Sequence, residues 1–199
     1  MLAVLLSMSV FALIGAITPG PVNIIATSSG VRFGFIRTLP HVTGATVSYT
    51  LIVALVGNGL HQLLADYPQI IDMLKYPGGG FLLYMAYNIM TSSSEAIDSN
   101  SSVQPPGFIA GGLCQVLNPK AWLVAMSGIS VFALSQPETD FYINAYCMIS
   151  FVLCFVGVGF WAAAGNLIRR YLRKPEHMRL FNRIMGLLLI GTIVSIMMT

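Results

Sequence analysis

Apolar residues run along this chain in six long stretches separated by short polar connections, and they predict helices at about 2–28, 39–64, 69–90, 107–134, 141–168 and 180–198. Each stretch is close to or above the roughly 20 residues that an α-helix needs to cross a bilayer, and none reads as a roughly 10-residue alternating barrel strand. Two stretches are interrupted by proline, at Thr18-Pro19-Gly20-Pro21 in the first and at Asn118-Pro119-Lys120 in the fourth. Proline removes a backbone donor and clashes with the preceding turn, so each helix is predicted to break there. Within a membrane, freed backbone groups are tolerated only where protein or a water-filled cavity satisfies them. Breaks at matching positions of two halves point to a transporter's binding site.

Composition turns this pattern into a class. Of 199 residues, 56% are hydrophobic and only 9% charged, with a mean hydropathy of +0.78. Soluble domains carry about 25% charged residues. The chain is therefore expected to be an all-α integral membrane protein, a single transmembrane domain over 1–199. Arg32 is the first basic residue, so a cleaved signal peptide with a basic leading region is not expected. Cys114, Cys147 and Cys154 fall in apolar stretches without C-x-x-C spacing and read as small buried residues. His41, His61 and His177 are scattered, so no metal site and no cofactor is expected, and nothing points to a nucleic-acid partner.

The longest connection, 91–106, is serine-rich with Glu95 and Asp98 and ends in Pro105-Pro106. It divides the chain into halves of about 1–90 and 107–199. Eight of the ten Lys and Arg residues (Arg32, Arg37, Arg169, Arg170, Arg173, Lys174, Arg179 and Arg183) fall in or beside the first and fifth connections. Positive loops stay cytoplasmic, which makes 91–106 a cytoplasmic linker and puts both termini outside. Three helices per half reverse the second half relative to the first, giving two inverted three-helix repeats with helices 1 and 4 broken. A short echo agrees: Lys75-x-x-Gly78 and Arg183-x-x-Gly186 open the third and sixth helices, each followed by a Leu-Leu pair.

The breaks carry the candidate chemistry. Gly20 between two prolines lets the backbone leave helical geometry, and Pro21 suits the first turn of a resumed helix. That turn aims unpaired N–H groups and a positive dipole end into the break, an arrangement suited to a carboxylate. Thr18 and Asn23 add neutral hydrogen-bonding groups, and Gln115, Asn118 and Pro119 form the second break. A lone proline kink would be read as packing; the pair of breaks favours a substrate site at Thr18, Pro19, Gly20, Pro21, Asn23, Gln115, Asn118 and Pro119. Lys120 lies well within an apolar stretch, where a cation is costly and marks function. Lys75, with Asp72, lies nearer the end of its helix and can reach the interface; with Lys120 it is a candidate charge-coupling residue. Gly78-Gly79-Gly80, Gly157, Gly159, Gly186 and Gly191 read as helix contacts, and Tyr49, Tyr84, Tyr87, Trp122 and Trp161 as interfacial or packing aromatics. There is no P-loop for ATP, and Ser127 and Ser130 are read as having no intramembrane histidine partner, which argues against a protease.

The order of these motifs resembles the LysE/RhtB amino-acid exporter family over nearly the whole length. The resemblance is carried by Thr-Pro-Gly-Pro at 18–21, Gly34, Gly-Gly-Phe-Leu-Leu-Tyr at 79–84, Leu-Asn-Pro-Lys at 117–120, and Asn182-Arg183 with Gly186 and Gly191. The Thr-Pro-Gly-Pro-x-Asn-Ile opening is most similar to the cysteine/O-acetylserine exporter branch. The resemblance implies export of amino acids or close derivatives across the bacterial inner membrane, driven by the proton gradient. Two departures stand out: Val22 follows Pro-Gly-Pro where many members have Asn, and Gly44–Ser48 offers only Ser48 where many carry an acid.

The expected partners are thus a small amino-acid substrate and the lipid bilayer, and Gly-rich faces leave room for a homodimer. The expected protein is not an enzyme. The rival readings are a carrier or channel for a non-amino-acid solute and a non-transporting membrane scaffold. A metal carrier would show Asp, His or Cys clusters within its spans, and a scaffold would not need two broken helices and an intramembrane lysine.

Overall fold

A computed structural model describes residues 1–92, 104–172 and 174–198, and all regular elements among them are helical. The helices are α1 (Leu2–Ile17), α2 (Pro21–Phe33), α3 (Phe35–Leu55), α4 (His61–Asp66), α5 (Gln69–Met90), α6 (Phe108–Val116), α7 (Pro119–Phe132), α8 (Thr139–Ile168) and α9 (Pro175–Met198). A π-helical turn, Val56–Leu60, joins α3 to α4. By length and composition three helical segments can cross a membrane: Phe35–Asp66, Thr139–Tyr171 and Pro175–Ser195; the α1–α2 pair, bent by 59°, makes a fourth. α5 is long enough but carries Asp72 and Lys75, and α6 and α7 are short pieces on either side of the second break.

Both expected breaks are present, at Thr18–Gly20 and at Leu117–Asn118. Other prolines do not break their helices: Pro40 lies inside α3 and Pro77 inside α5. The first connection is far shorter than the hydropathy pattern predicts, because polar residues on both sides of it are helical. Gly34 alone turns the chain, with a φ of 85° that residues carrying a Cβ rarely adopt. The expected linker 91–106 falls mostly outside the described residues, as do Glu95, Asp98 and Arg173.

α8 packs along α1, α2 and α3, α3 packs along α6, and α5 pairs with α9. The bent α1–α2 pair therefore lies on α8, and α6, which precedes the second break, lies on α3. α5 and α9 are antiparallel, since Gly79 faces Met197 and Gly186 faces Met90. Backbones meet directly at several crossings. Gly30 and Gly165 lie against the Ala162 and Thr27 carbonyls, and Gly44 and Gly111 lie against those of Phe108 and His41. Small residues permit this approach, which membrane helices use because lipid supplies no hydrophobic drive for their association. Gly78 and Gly157 also pack closely, as expected, whereas Gly80, Gly159 and Gly191 face open space.

A methyl group at a crossing must push two backbones apart. Gly111→Ala and Gly165→Ala are expected to destabilise the purified protein by roughly 1–3 kcal/mol, read as a lower thermal midpoint in detergent. Gly159→Ala and Gly191→Ala, with free space at the same atom, are expected to hold or raise the midpoint by up to about 1 kcal/mol, alanine being the better helix former.

Candidate functional site

The first break exposes carbonyls that no helix turn can satisfy, because Pro19 and Pro21 have no N–H. Side chains take them instead. Asn23 Nδ2 donates to the Ala16 and Thr18 carbonyls, at 2.9 Å each. The indole of Trp161 on α8 donates to the Ile17 carbonyl at 3.0 Å. Gly20 is extended and, lacking a side chain, leaves the N-terminus of α2 without a side-chain cap. That end retains the unpaired N–H groups that the sequence predicts.

The second break is built differently. Asn118 caps α7, its Oδ1 accepting from the Lys120 backbone N–H at 3.2 Å. The indole of Trp122 donates to the Val116 carbonyl at 2.8 Å. The two expected anion-binding helix ends are thus unequal: α2 is open, while the first donor of α7 is already used. Both tryptophans, read from sequence as interfacial or packing aromatics, hold freed carbonyls just before a break.

Lys120 joins the two breaks. Its Nζ donates to the Thr18 carbonyl at 3.3 Å, across 102 residues of sequence, and its side chain is half-buried. Beside it lies a cavity of about 50 Å³, lined by Thr18, Gly20, Asn23, Gln115, Asn118 and Lys120 among others. Lys120 is the one charged side chain lining this cavity among the described residues. The space admits water or a small polar group.

Pro19, Pro21, Pro119 and Lys75 line a wider groove of about 620 Å³, which shares Gly20, Asn118 and Lys120 with the cavity. Lys75 pairs with Asp72 at 2.7 Å and sits at this groove rather than at the break. A second groove, of about 800 Å³, lies at the opposite end between α2, α5, α6 and α9, with Ser28, Ser29, Arg32, Ser92 and Asn182 in its wall. There the Arg32 guanidinium donates to the Ser92 hydroxyl.

Several residues of the site carry no signal in the sequence. Tyr49 on α3 is buried and lines the cavity with Cys154 and Val158 of α8. Gln115 Nε2 lies 4.0 Å from the Cys154 sulfur. On the same two helices Thr46, Tyr146 and Ser150 bury their hydroxyls. His41, read from the sequence as one of three scattered histidines, is fully buried on α3, and its Nε2 lies 3.4 Å from the Val22 carbonyl. Cys114 and Cys154 are buried as free thiols, and Cys147 is half-buried. Among the described residues no group of His, Cys, Asp or Glu is arranged to hold a metal ion.

The LysE type translocator family model matches residues 13–198. A cysteine/O-acetylserine efflux protein of Salmonella choleraesuis (strain SC-B67) is 32% identical over 189 residues, covering 94% of this chain and 93% of that protein. The protein of the same description from Salmonella typhi is 31% identical over 189 residues, with the same two coverages. That from Escherichia coli O157:H7 is 28% identical over 186 residues, again 94% and 93%. No solved structure matches the chain. With nearly the full length aligned and both proline breaks formed, this chain belongs to the LysE type translocator family.

Proposed function

We propose that this protein is a secondary active transporter that exports small amino acids or close derivatives across the bacterial inner membrane, coupled to the proton gradient. The names of its relatives support a substrate of the cysteine and O-acetylserine kind. The observation that carries the reading is the Lys120 ammonium on the Thr18 carbonyl, one cation bridging the breaks of the two halves beside a cavity.

An amino acid presents both an ammonium and a carboxylate. In the proposed cycle the substrate ammonium takes the Thr18 carbonyl from Lys120, and the released lysine pairs with the substrate carboxylate. The uncapped N-terminus of α2 supplies further donors to that carboxylate. Asn23, Asn118 and Gln115 complete the polar shell. An uncharged solute would leave the lysine on its carbonyl, so the exchange selects for molecules that carry both charges.

Six crossings as two inverted repeats are part of the same reading. Its support is the mutual packing of each broken helix on the other half's middle helix, and the antiparallel α5–α9 pair. The two large grooves correspond in the same way: each runs between the α5–α9 pair and one side of the broken helices, at opposite ends. Arg32, Arg37, Arg169, Arg170 and Arg183 gather toward the end that holds the larger groove, which favours that end as cytoplasmic.

Inside-out vesicles energised with a proton gradient are expected to accumulate labelled cysteine, O-acetylserine or a near relative. Lys120→Met and Asn118→Ala should abolish this accumulation with protein still present in the membrane. Accumulation at the wild-type level in Lys120→Met would remove the ammonium exchange from the mechanism, and no accumulation of any amino acid by wild type would overturn the substrate class. A protonophore added to wild-type vesicles is expected to release the accumulated label; label retained after the gradient collapses would exclude proton coupling.

A further inference from the structure

We propose that His41 is the residue that carries the coupled proton, taking it up on Nδ1 between the substrate cavity and the larger groove. The inference rests on the exporter reading and adds to it the group through which the gradient acts.

The geometry fixes the state of the ring. A carbonyl oxygen can only accept, so the nitrogen facing the Val22 carbonyl at 3.4 Å is the one that bears the hydrogen. Nδ1 is then a bare lone pair, and it has no partner within the protein although the residue is fully buried. A buried acceptor left unpaired costs roughly 1–3 kcal/mol. A fully buried imidazole is held neutral by desolvation, so this ring takes up a proton only in an arrangement that admits water.

The position connects the two water-accessible spaces. Val22, whose carbonyl His41 touches, lines the substrate cavity. One turn earlier on α3, Thr38 bonds Ser29 at 2.8 Å, and Ser29 with Ser28 lines the larger groove. The Ser28 hydroxyl is buried and also unpartnered. His41 and Thr38 lie on one face of α3, and Val22 and Ser29 on one face of α2, so the α2–α3 seam runs from cavity to groove.

Other ionisable groups on the packed elements do not take this role. α2 offers Arg32 at its far end, α6 Cys114, α7 Lys120, and α8 Tyr142, Tyr146, Cys147 and Cys154. On α3 itself stand Arg37 and Tyr49. The sequences of α2, α3, α6 and α7 contain no Asp or Glu, and the one on α8, Asp140, is exposed in its first turn. The step itself is a plain proton transfer: water on one side gives a proton to Nδ1, and water on the other takes it back. The new N–H has no acceptor in the present packing, so the charged ring favours an arrangement in which α2 and α3 part and admit water. Acid outside and a neutral cytoplasm would drive that cycle in the direction of export.

Two measurements on the full chain test this. In the His61→Gln/His177→Gln protein, His41 is the single histidine, and nitrogen-15 NMR of labelled imidazole should show it taking up a proton reversibly as the pH is lowered from about 8 to about 4. A ring that stays neutral across that range overturns the proposal, whatever the substrate proves to be. In proteoliposomes, His41→Gln should lose gradient-driven accumulation and its pH dependence while still exchanging labelled for unlabelled substrate without a gradient. Gradient-driven accumulation at the wild-type level in His41→Gln overturns the proposal as well. A failure of the exporter reading would instead appear as wild-type protein that neither accumulates nor exchanges amino acids, with the NMR titration still deciding the role of His41.

Discussion

Backbone carbonyls that lose their helical partners must find others inside the membrane, and the centre of this protein is organised around that requirement. Four carbonyls at the two breaks, those of Ala16, Ile17, Thr18 and Val116, are taken by side chains. In hydrocarbon each would cost several kcal/mol if left unpaired. Asn23, Trp161 and Trp122 are therefore fixed by the breaks, and the breaks by them. Thr18 is the exception on which the proposed site rests, because its carbonyl is shared between the Asn23 amide and an ammonium on a long flexible stem. A hydrogen bond that can be exchanged is what a transporter needs at its centre.

Around this centre the helices differ in how firmly they are held. The α2–α8 and α3–α6 crossings bring backbone against backbone through glycine, which leaves little room for one helix to slide on its neighbour. The α5–α9 pair is knit within itself, touches the second break closely at Gly78 and Leu117, and otherwise borders the remaining helices along two large grooves. Motion is easiest where packing is sparse. The grooves open at opposite ends and the small cavity lies between them, sharing Lys120 and Asn118 with one and bordered by the α2–α3 seam toward the other. Relative movement of the pair and the glycine-bound core would thus change which end reaches the site without dismantling the breaks.

Hydropathy and proline made the six apolar stretches, both breaks and the polar residues of the cavity wall at those breaks legible in the sequence, because a missing N–H and a run of apolar residues are local facts. The residues that answer the breaks were not legible in the same way. Trp161 is 144 residues from the carbonyl it holds, and Lys120 is 102 residues from its own. Tyr49 and Cys154 enter the cavity from helices with no break, where nothing distinguishes them from packing residues. Gly34 misled in the opposite sense: one residue with positive φ replaces a whole predicted loop, and helical polar residues fill the rest. His41 stood out only as one of three scattered histidines, because burial is set by packing across helices and not by its local sequence.

In the proposed cycle, the charge balance at the site separates recognition from proton coupling. A zwitterionic amino acid brings no net charge, so a cavity holding only the Lys120 cation has the same total charge empty or filled. Binding alone therefore gives the proton gradient nothing to act on, and a coupled proton must bind elsewhere or displace the lysine's own. Losing the lysine's proton would remove the partner of the carboxylate at the moment when binding needs it. A second titrating group, near enough to feel α2 shift yet outside the substrate's reach, meets both demands. The α2–α3 seam is the place where such a group can sense the site through one carbonyl, that of Val22, and water through the serines of the groove. Recognition by charge exchange at Thr18 and coupling by proton binding at the seam would then share a single moving part, the half-helix that begins at Pro21.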